Sequence, residues 1–208
     1  MKTLHRTRPA ARPETPPAAH SPTKPARNLA QISVFAGIIA VLGLPGAIPV
    51  LGMAVPVTAQ TLGVMLAGAV LGPWRGAGAV LLFNALVAMG LPLLSGGRGG
   101  MGVFFGPSAG YVIGWIAGAA VVGLIVHGLG RTGRARPTWP RVLIGGVLGG
   151  MLVIYAFGIP VQAYVTQLGL AETALLAMAF LPGDLLKVIV AAMVTMTLRR
   201  TYPRAFDR

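Results

Sequence analysis

The sequence predicts an all-α, polytopic membrane protein with six transmembrane helices. Of its 208 residues, 55% are hydrophobic and only 10% are charged, whereas soluble domains are about 25% charged. Several apolar stretches reach the roughly 17–25 residues that a helix needs to cross a bilayer. Lysine and arginine lie between or outside these stretches, with Lys187 as the exception. These observations predict a single membrane-embedded helix bundle.

Glycine and proline separate the six predicted helices. The helices are expected at 29–44, 58–71, 77–91, 108–127, 142–159 and 171–198. The first three end where proline follows, and the fifth has room to extend past Pro160. Pro182 is followed by glycine inside the sixth, where we expect a break or a kink. The second and third helices are short for a full crossing, as is typical beside transporter binding sites.

The two ends of the chain lack apolar runs. Residues 1–28 are basic and rich in proline, which predicts a disordered tail. The six-helix membrane domain is expected at 29–200, with a carboxy-terminal tail at 201–208. Because cysteine is absent, disulfides, thiolate metal sites and cysteine nucleophiles are excluded.

The distribution of basic residues predicts the orientation in the membrane. Fifteen of the 17 lysines and arginines lie in the tails and in the connectors after the second and fourth helices. On the other side of the six helices only Arg98 is found. Since cytoplasmic loops carry an excess of lysine and arginine, both termini are predicted to be cytoplasmic.

Two charges lie inside or beside the apolar core of the predicted bundle. Asp184 is one of only four acidic residues, and Lys187 follows it on the same face of the sixth helix. Ionisable groups at membrane depth indicate a functional site, although an ion pair that only joins helices is the alternative. Arg98 either extends to lipid headgroups or binds an anion such as a carboxylate.

A polar side chain also occurs midway along the third predicted helix. Asn84 needs a hydrogen-bond partner at this depth, which is either another helix or a ligand. Its amide offers a donor and an acceptor, which suits an amide or urea group. Weaker candidates of the same kind are Gln60, Tyr111, Gln162 and Tyr164.

The sequence argues against an enzyme. It has no phosphate-binding G-x-x-x-x-G-K-[ST] loop, and His5, His20 and His127 have no metal-ligand spacing. Asp184 has no second carboxylate nearby for acid–base chemistry. No metal or catalytic residue is therefore predicted, and the basic tail indicates membrane lipid rather than nucleic acid as its neighbour.

Four segments of the chain resemble the BioY family. They are PVTAQTLG at 56–63, LAGAVLGP at 66–73, GPSAGY at 106–111 and LPGDLLK at 181–187. The resemblance extends over about 30–198, with the motifs in family order. One departure is Ser108-Ala109, where the family usually has Thr-Gly.

The resemblance implies a biotin-specific substrate-binding subunit, or S component, of an energy-coupling factor (ECF) transporter. The implied fold is a six-helix bundle with a high-affinity biotin pocket near the outer face. Asn84, Arg98, Asp184 and Lys187 match ligand positions of the family. Asp184 and Asn84 would bind the urea of biotin, and either Lys187 or Arg98 the carboxylate. Apolar and aromatic side chains such as Tyr111, Tyr164 and Phe105 would line the remainder.

The implied function is biotin uptake across the bacterial cytoplasmic membrane, with biotin as ligand and no cofactor. The implied partners are a transmembrane coupling subunit and separate ATPase subunits. Ala36 and Ala40 form an A-x-x-x-A pattern that resembles the docking site for the coupling subunit, although ordinary helix packing also explains it. Two alternatives remain open, namely an S component for another small vitamin and a self-sufficient, proton-linked biotin transporter that uses Asp184.

Overall fold

The computed structural model describes residues 24–46, 55, 57–128 and 137–206, and in this part of the chain no β-strand forms. The α-helices are α1 (Lys24–Val41), α2 (Gln60–Leu71), α3 (Pro73–Ala88), α4 (Ala109–His127), α5 (Trp139–Val147), α6 (Ile154–Thr166), α7 (Leu170–Ala177) and α8 (Leu181–Thr201). A π-helical turn, Leu148–Val153, joins α5 to α6, and a 3₁₀ turn, Met178–Phe180, joins α7 to α8. The all-helical fold class is thus as predicted.

Three of these segments are long and apolar enough to span a membrane. They are Ala109–His127, Trp139–Thr166 and Leu170–Thr201, of 19, 28 and 32 residues. Pro25–Val41 and Gln60–Leu71 are apolar but shorter. The short second helix was expected from its bounding glycine and proline, and the structure retains it at 12 residues.

The first helix begins at Lys24, so residues 24–28 are helical where a disordered tail was expected. Arg75 at the start of α3 explains the difference. Its Nη1 donates to Asn28 Oδ1 at 3.2 Å and to Gln31 Oε1 at 2.8 Å, which fixes the first turns of α1. The rest of the predicted tail, 1–23, lies outside the described residues.

At the other end, the predicted tail 201–208 is partly ordered. A short 3₁₀ helix, Pro203–Phe206, follows α8. Phe206 packs against a buried cluster that includes Val70 and Leu71. Residues 207–208 lie outside the described part of the chain.

The break between α2 and α3 is sharper than predicted, because α3 begins at Pro73 rather than near residue 77. Gly72 has a φ of +83°, a value that favours glycine, and Pro73 is suited to the first turn of a helix. The turn lies against α4, since a Cβ on Gly123 would meet Pro73 N at 2.4 Å. Glycine therefore permits three helices to meet closely.

The two longest segments are both irregular in their middle. The π turn lies at Gly149 and Gly150, and a Cβ on Gly150 would meet Met65 of α2 at 2.6 Å. Pro160 remains inside α6, as the predicted extension allowed. The break expected at Pro182 occurs one turn earlier, in the 3₁₀ turn, and Pro182 lies in the first turn of α8. Both irregular turns lie next to the cavity described below.

Candidate functional site

A cavity opens between α2, α4, α6, α8 and the connector 92–98. Its polar and aromatic lining consists of Thr58, Gln60, Thr61, Arg98, Ser108, Tyr111, Trp115, Tyr155, Phe180, Asp184 and Lys187. Aliphatic side chains complete it, namely Val55, Val57, Leu94, Val112 and Ile154. The cavity volume is about 50 Å³, which is smaller than the roughly 300–1,000 Å³ of typical small-molecule sites.

The predicted ion pair lies in this cavity. Lys187 Nζ donates to Asp184 Oδ1 at 2.8 Å and to Thr61 Oγ1 of α2 at 3.1 Å. Tyr155 donates its hydroxyl to Asp184 Oδ2 at 2.6 Å. Asp184, only 5% exposed, lies in the first turn of α8, where the helix dipole stabilises a negative charge. Three helices therefore hold one buried carboxylate.

Aromatic side chains form the wall next to Asp184. The Tyr111 and Phe180 rings lie edge to face with centroids 6.0 Å apart, an arrangement that aromatic pairs favour. Tyr111 donates its hydroxyl to Gln162 Oε1 at 2.8 Å. A Cβ on Gly158 would lie 2.3 Å from the Tyr111 ring. The position of this ring thus depends on glycine in α6.

Arg98 lies at the exposed side of the cavity, in the connector between α3 and α4. Its Nε donates to Ser95 O at 3.4 Å and its Nη1 to Ser108 Oγ at 3.3 Å. Gln60 anchors this connector from inside the bundle, because its Nε2 donates to Leu93 O and its Oε1 accepts from Ser95 N, each at 3.0 Å. Gln60 was a weaker candidate for ligand binding from the sequence. In the structure its hydrogen bonds position the connector that carries Arg98.

Asn84 lies next to the cavity but does not line it. Its Nδ2 donates to Val112 O at 2.9 Å, and Val112 itself lines the cavity. Asn84 Oδ1 is buried without a hydrogen-bond partner, as is Trp115 Nε1 in the cavity wall. Both side chains are 5% exposed, so one acceptor and one donor near the cavity remain unsatisfied, a costly condition away from water.

The structure does not bring the other predicted residues to the site. Tyr164 is 79% exposed and Phe105 is 76% exposed, and neither lines the cavity. On α6 it is Gln162, two residues earlier, that faces inward. A helix turns 100° per residue, so Tyr164 faces away from the bundle when Gln162 faces into it.

Ala36 and Ala40 do not form an exposed docking surface. Ala36 is 3% exposed within the hydrophobic core, and Ala40 packs against the same core. This face of α1 lies against α2, where a Cβ on Gly63 would meet Ile39 Cγ1 at 2.9 Å. Ala36 therefore serves helix packing inside this chain, contrary to an exposed docking site at this residue, whereas Ala40 is only partly buried.

Three residues at the site were not identified from the sequence. Tyr155 and Thr61 hold the ion pair, and Trp115 carries the unsatisfied donor. Thr61 belongs to the 56–63 segment, and Trp115 follows Tyr111 by four residues on the same helical face. Tyr155 lies in a stretch that is otherwise apolar. Its hydroxyl, a polar group at predicted membrane depth, could have identified it as a candidate.

Comparison with known proteins identifies the family to which this chain is similar. The model of the BioY family matches residues 12–204. The chain is 50% identical over 189 residues to "Biotin transporter BioY" of Rhodobacter capsulatus, covering 86% of this chain and 96% of that one. It is 45% identical over 180 residues to the protein of the same name from Rhizobium etli, covering 85% and 95%.

The fold is also similar to a solved structure. The crystal structure of the S-component for biotin from an ECF-type ABC transporter superposes with a TM-score of 0.81 at 30% sequence identity. The alignment covers 91% of this chain and 100% of that chain. The chain belongs to the BioY family.

Proposed function

We propose that this chain is the biotin-specific S component of an ECF-type transporter and takes up biotin across the bacterial cytoplasmic membrane. The observation that carries the proposal is the buried Asp184–Lys187 pair, which Tyr155 and Thr61 hold in a cavity. Proteins of this family from two other bacteria are named biotin transporters.

The urea end of biotin is assigned to Asp184. Each of its carboxylate oxygens receives one donor from the protein, and such an oxygen can accept about two hydrogen bonds. Either oxygen can therefore accept one N–H group of the cyclic urea. Trp115 Nε1 offers a donor for the urea oxygen, and Asn84 Oδ1 is an additional acceptor behind the wall.

The biotin carboxylate is assigned to Arg98 rather than to Lys187. The Lys187 charge is neutralised by Asp184 at 2.8 Å. Arg98 has no carboxylate partner among the described residues, and its guanidinium lies at the exposed side of the cavity. A guanidinium also matches a carboxylate with two parallel hydrogen bonds. Tyr111 and Phe180 then line the space for the apolar ring and chain of biotin.

Entry of biotin requires this lining to move. The cavity of about 50 Å³ has room for only a few water molecules. Arg98 is the exposed member of the lining and is held by hydrogen bonds of 3.3 and 3.4 Å, which are long for this bond type. The Arg98 side chain is therefore the part of the wall that we assign to opening.

The proposed topology has six membrane crossings with both termini in the cytoplasm. The charge asymmetry of the sequence supports it, with fifteen lysines and arginines on one side and Arg98 on the other. The partners are a transmembrane coupling subunit and ATPase subunits, since the similar solved structure is a component of an ECF-type ABC transporter.

The proposal is tested by equilibrium binding of labelled biotin to the purified chain without partners. We expect saturable binding with one site per chain and no competition from a panel of other vitamins. Binding of a different vitamin in preference to biotin would instead identify an S component of other specificity.

Biotin uptake by cells distinguishes the proposed S component from the remaining alternative, a self-sufficient, proton-linked transporter. We expect labelled biotin to accumulate when the coupling and ATPase subunits are co-produced. Accumulation in cells that lack all such ATPases, abolished by a protonophore, would assign the chain to proton-linked transport.

A further inference from the structure

A second depression lies on the surface of the bundle, at the level of the ion pair on α8 but outside the cavity that contains it. It is a groove of about 490 Å³ between α5 and α8. Leu143, Ile144, Val147 and Leu148 line one wall, and Leu185, Val188 and Ile189 line the other. All seven side chains are aliphatic, and four of them are about half exposed. The groove lies on two segments that are long and apolar enough to span a membrane.

The shape of the groove follows from close packing at its floor. A Cβ on Gly146 would meet the Val188 side chain at 2.9 Å, so the backbone of α5 lies directly against α8 at this level. The larger side chains on either side of this contact project outward and leave a channel between them. A channel lined only by aliphatic side chains suits a flexible hydrocarbon chain.

One end of the groove is basic. Arg141 precedes Ile144 by three residues, and Arg200 follows Ile189 by eleven, spacings that place each arginine on the same helical face as the groove. Both arginines are exposed. Arg199 joins these helix ends by donating to Pro137 O. Trp139, at the same end, is 41% exposed, as is typical of a residue at the membrane–water interface.

These arginines are not neutralised by the part of the chain that the structure describes. Its acidic residues are Glu172, which begins α7 at the opposite end of the bundle, and Asp184, which pairs with Lys187. A hydrocarbon groove that ends at uncompensated arginines matches a molecule with an acyl chain and an anionic headgroup. Basic pockets between membrane helices are known to bind such lipids.

We propose that the α5–α8 groove binds an anionic phospholipid, with an acyl chain between Leu148 and Leu185 and the phosphate at Arg141 and Arg200. The proposal does not depend on the biotin site, because no groove residue lines that cavity. It holds for either orientation in the membrane.

The test uses the purified full chain in phosphatidylcholine vesicles with chain-labelled spin probes. We expect spin-labelled phosphatidylglycerol to associate with the protein about fivefold more strongly than spin-labelled phosphatidylcholine, the contribution of roughly one arginine near an anionic lipid. The double variant Arg141→Gln/Arg200→Gln should remove most of this preference. Ile144→Trp should reduce association by filling the groove without changing charge.

Two controls make the result decisive. Arg8→Gln/Arg12→Gln removes the same charge from the amino-terminal segment and should retain the preference. Biotin binding should be unchanged in all variants, which verifies that they fold. The proposal is overturned if the two probes associate equally with the unmodified chain, if Arg141→Gln/Arg200→Gln keeps the preference, or if the tail variant loses it equally.

Discussion

Tyr155 orients the carboxylate of the Asp184–Lys187 ion pair. Lys187 neutralises Asp184 Oδ1, but it is the Tyr155 hydroxyl on Oδ2 that fixes the plane of the carboxylate. In the proposed site, the orientation of the carboxylate decides whether it can accept an N–H group of the urea. The same hydroxyl also keeps the second oxygen of a buried charge from being unsatisfied, which would be costly.

We predict that Tyr155→Phe weakens biotin binding about tenfold, because a hydrogen bond to a charged group contributes roughly 1.5–3 kcal/mol. The measurement is equilibrium binding of labelled biotin. Tyr164→Phe is the matched control, since it removes the same hydroxyl from a side chain that is 79% exposed, and it should bind as the unmodified chain does. An equal loss of biotin affinity in both variants, or no loss in either, would contradict the role given to Tyr155.

A second residue-scale prediction concerns which cation meets the biotin carboxylate. Arg98→Gln should weaken binding of biotin by about 10- to 100-fold, the range of a charge-assisted hydrogen bond. It should change binding of biotin methyl ester by less than about threefold, since the ester lacks the charge. Suppose instead that Lys187→Gln weakens binding of biotin but not of its methyl ester, and Arg98→Gln does not. Lys187 rather than Arg98 would then bind the biotin carboxylate.

The sequence was sufficient to predict that Asp184, Lys187 and Arg98 lie at one cavity, because charges inside an apolar chain stand out and the predicted topology sets their depth. Tyr111 was a weaker candidate, and it also lines this cavity. It was not sufficient for Tyr164. A helix with apolar residues on every face gives no distinction between a lipid-facing and a core-facing side, so the rotation of α6 could not be read. Asn84 lies next to the cavity without lining it, and its Nδ2 donates to Val112 O.

At the scale of elements, irregular backbone positions the site. The π turn between α5 and α6 precedes Tyr155 by two residues, and the 3₁₀ turn between α7 and α8 ends at Phe180, which lines the cavity. Such turns are frequent at functional sites. The break near Pro182 could be predicted because proline disrupts helices, whereas the π turn depends on contact between Gly150 and Met65 and so on tertiary packing.

The packing around Gly37 and Gly158 predicts that substitution by alanine has opposite effects on stability at these two positions. Replacing glycine by alanine in a helix normally stabilises it by up to about 1 kcal/mol. We expect this at Gly37, where nothing lies within 4 Å of a new Cβ. At Gly158 the Cβ would lie 2.3 Å from the Tyr111 ring, so Gly158→Ala should lower the melting temperature and weaken biotin binding.

Thermal unfolding of the two purified variants with and without biotin provides the measurement. The Gly37→Ala protein should melt at or above the temperature of the unmodified chain. A Gly158→Ala protein that is equally stable and binds biotin normally would show that α6 and Tyr111 can separate without loss, contrary to this account.

At the scale of the whole molecule, the charge asymmetry predicts which surface faces the cytoplasm. The absence of cysteine allows a direct measurement with single cysteine variants and a membrane-impermeant maleimide. Met101 and Tyr202 are both 56% exposed and form a matched pair. In intact spheroplasts Met101→Cys should be labelled, whereas Tyr202→Cys should be labelled only after permeabilisation. The reverse pattern would place both termini outside.

The central claim is that this chain alone binds biotin through Asp184, and titration of purified protein with labelled biotin tests it most directly. Asp184→Asn keeps the size of the side chain but leaves Lys187 unpaired and removes an acceptor for urea. A hydrogen bond to a charged acceptor contributes about 1.5–3 kcal/mol. We therefore predict saturable binding by the unmodified chain and an affinity lower by at least about tenfold in Asp184→Asn. Equal affinities of the two correctly inserted proteins would contradict the account.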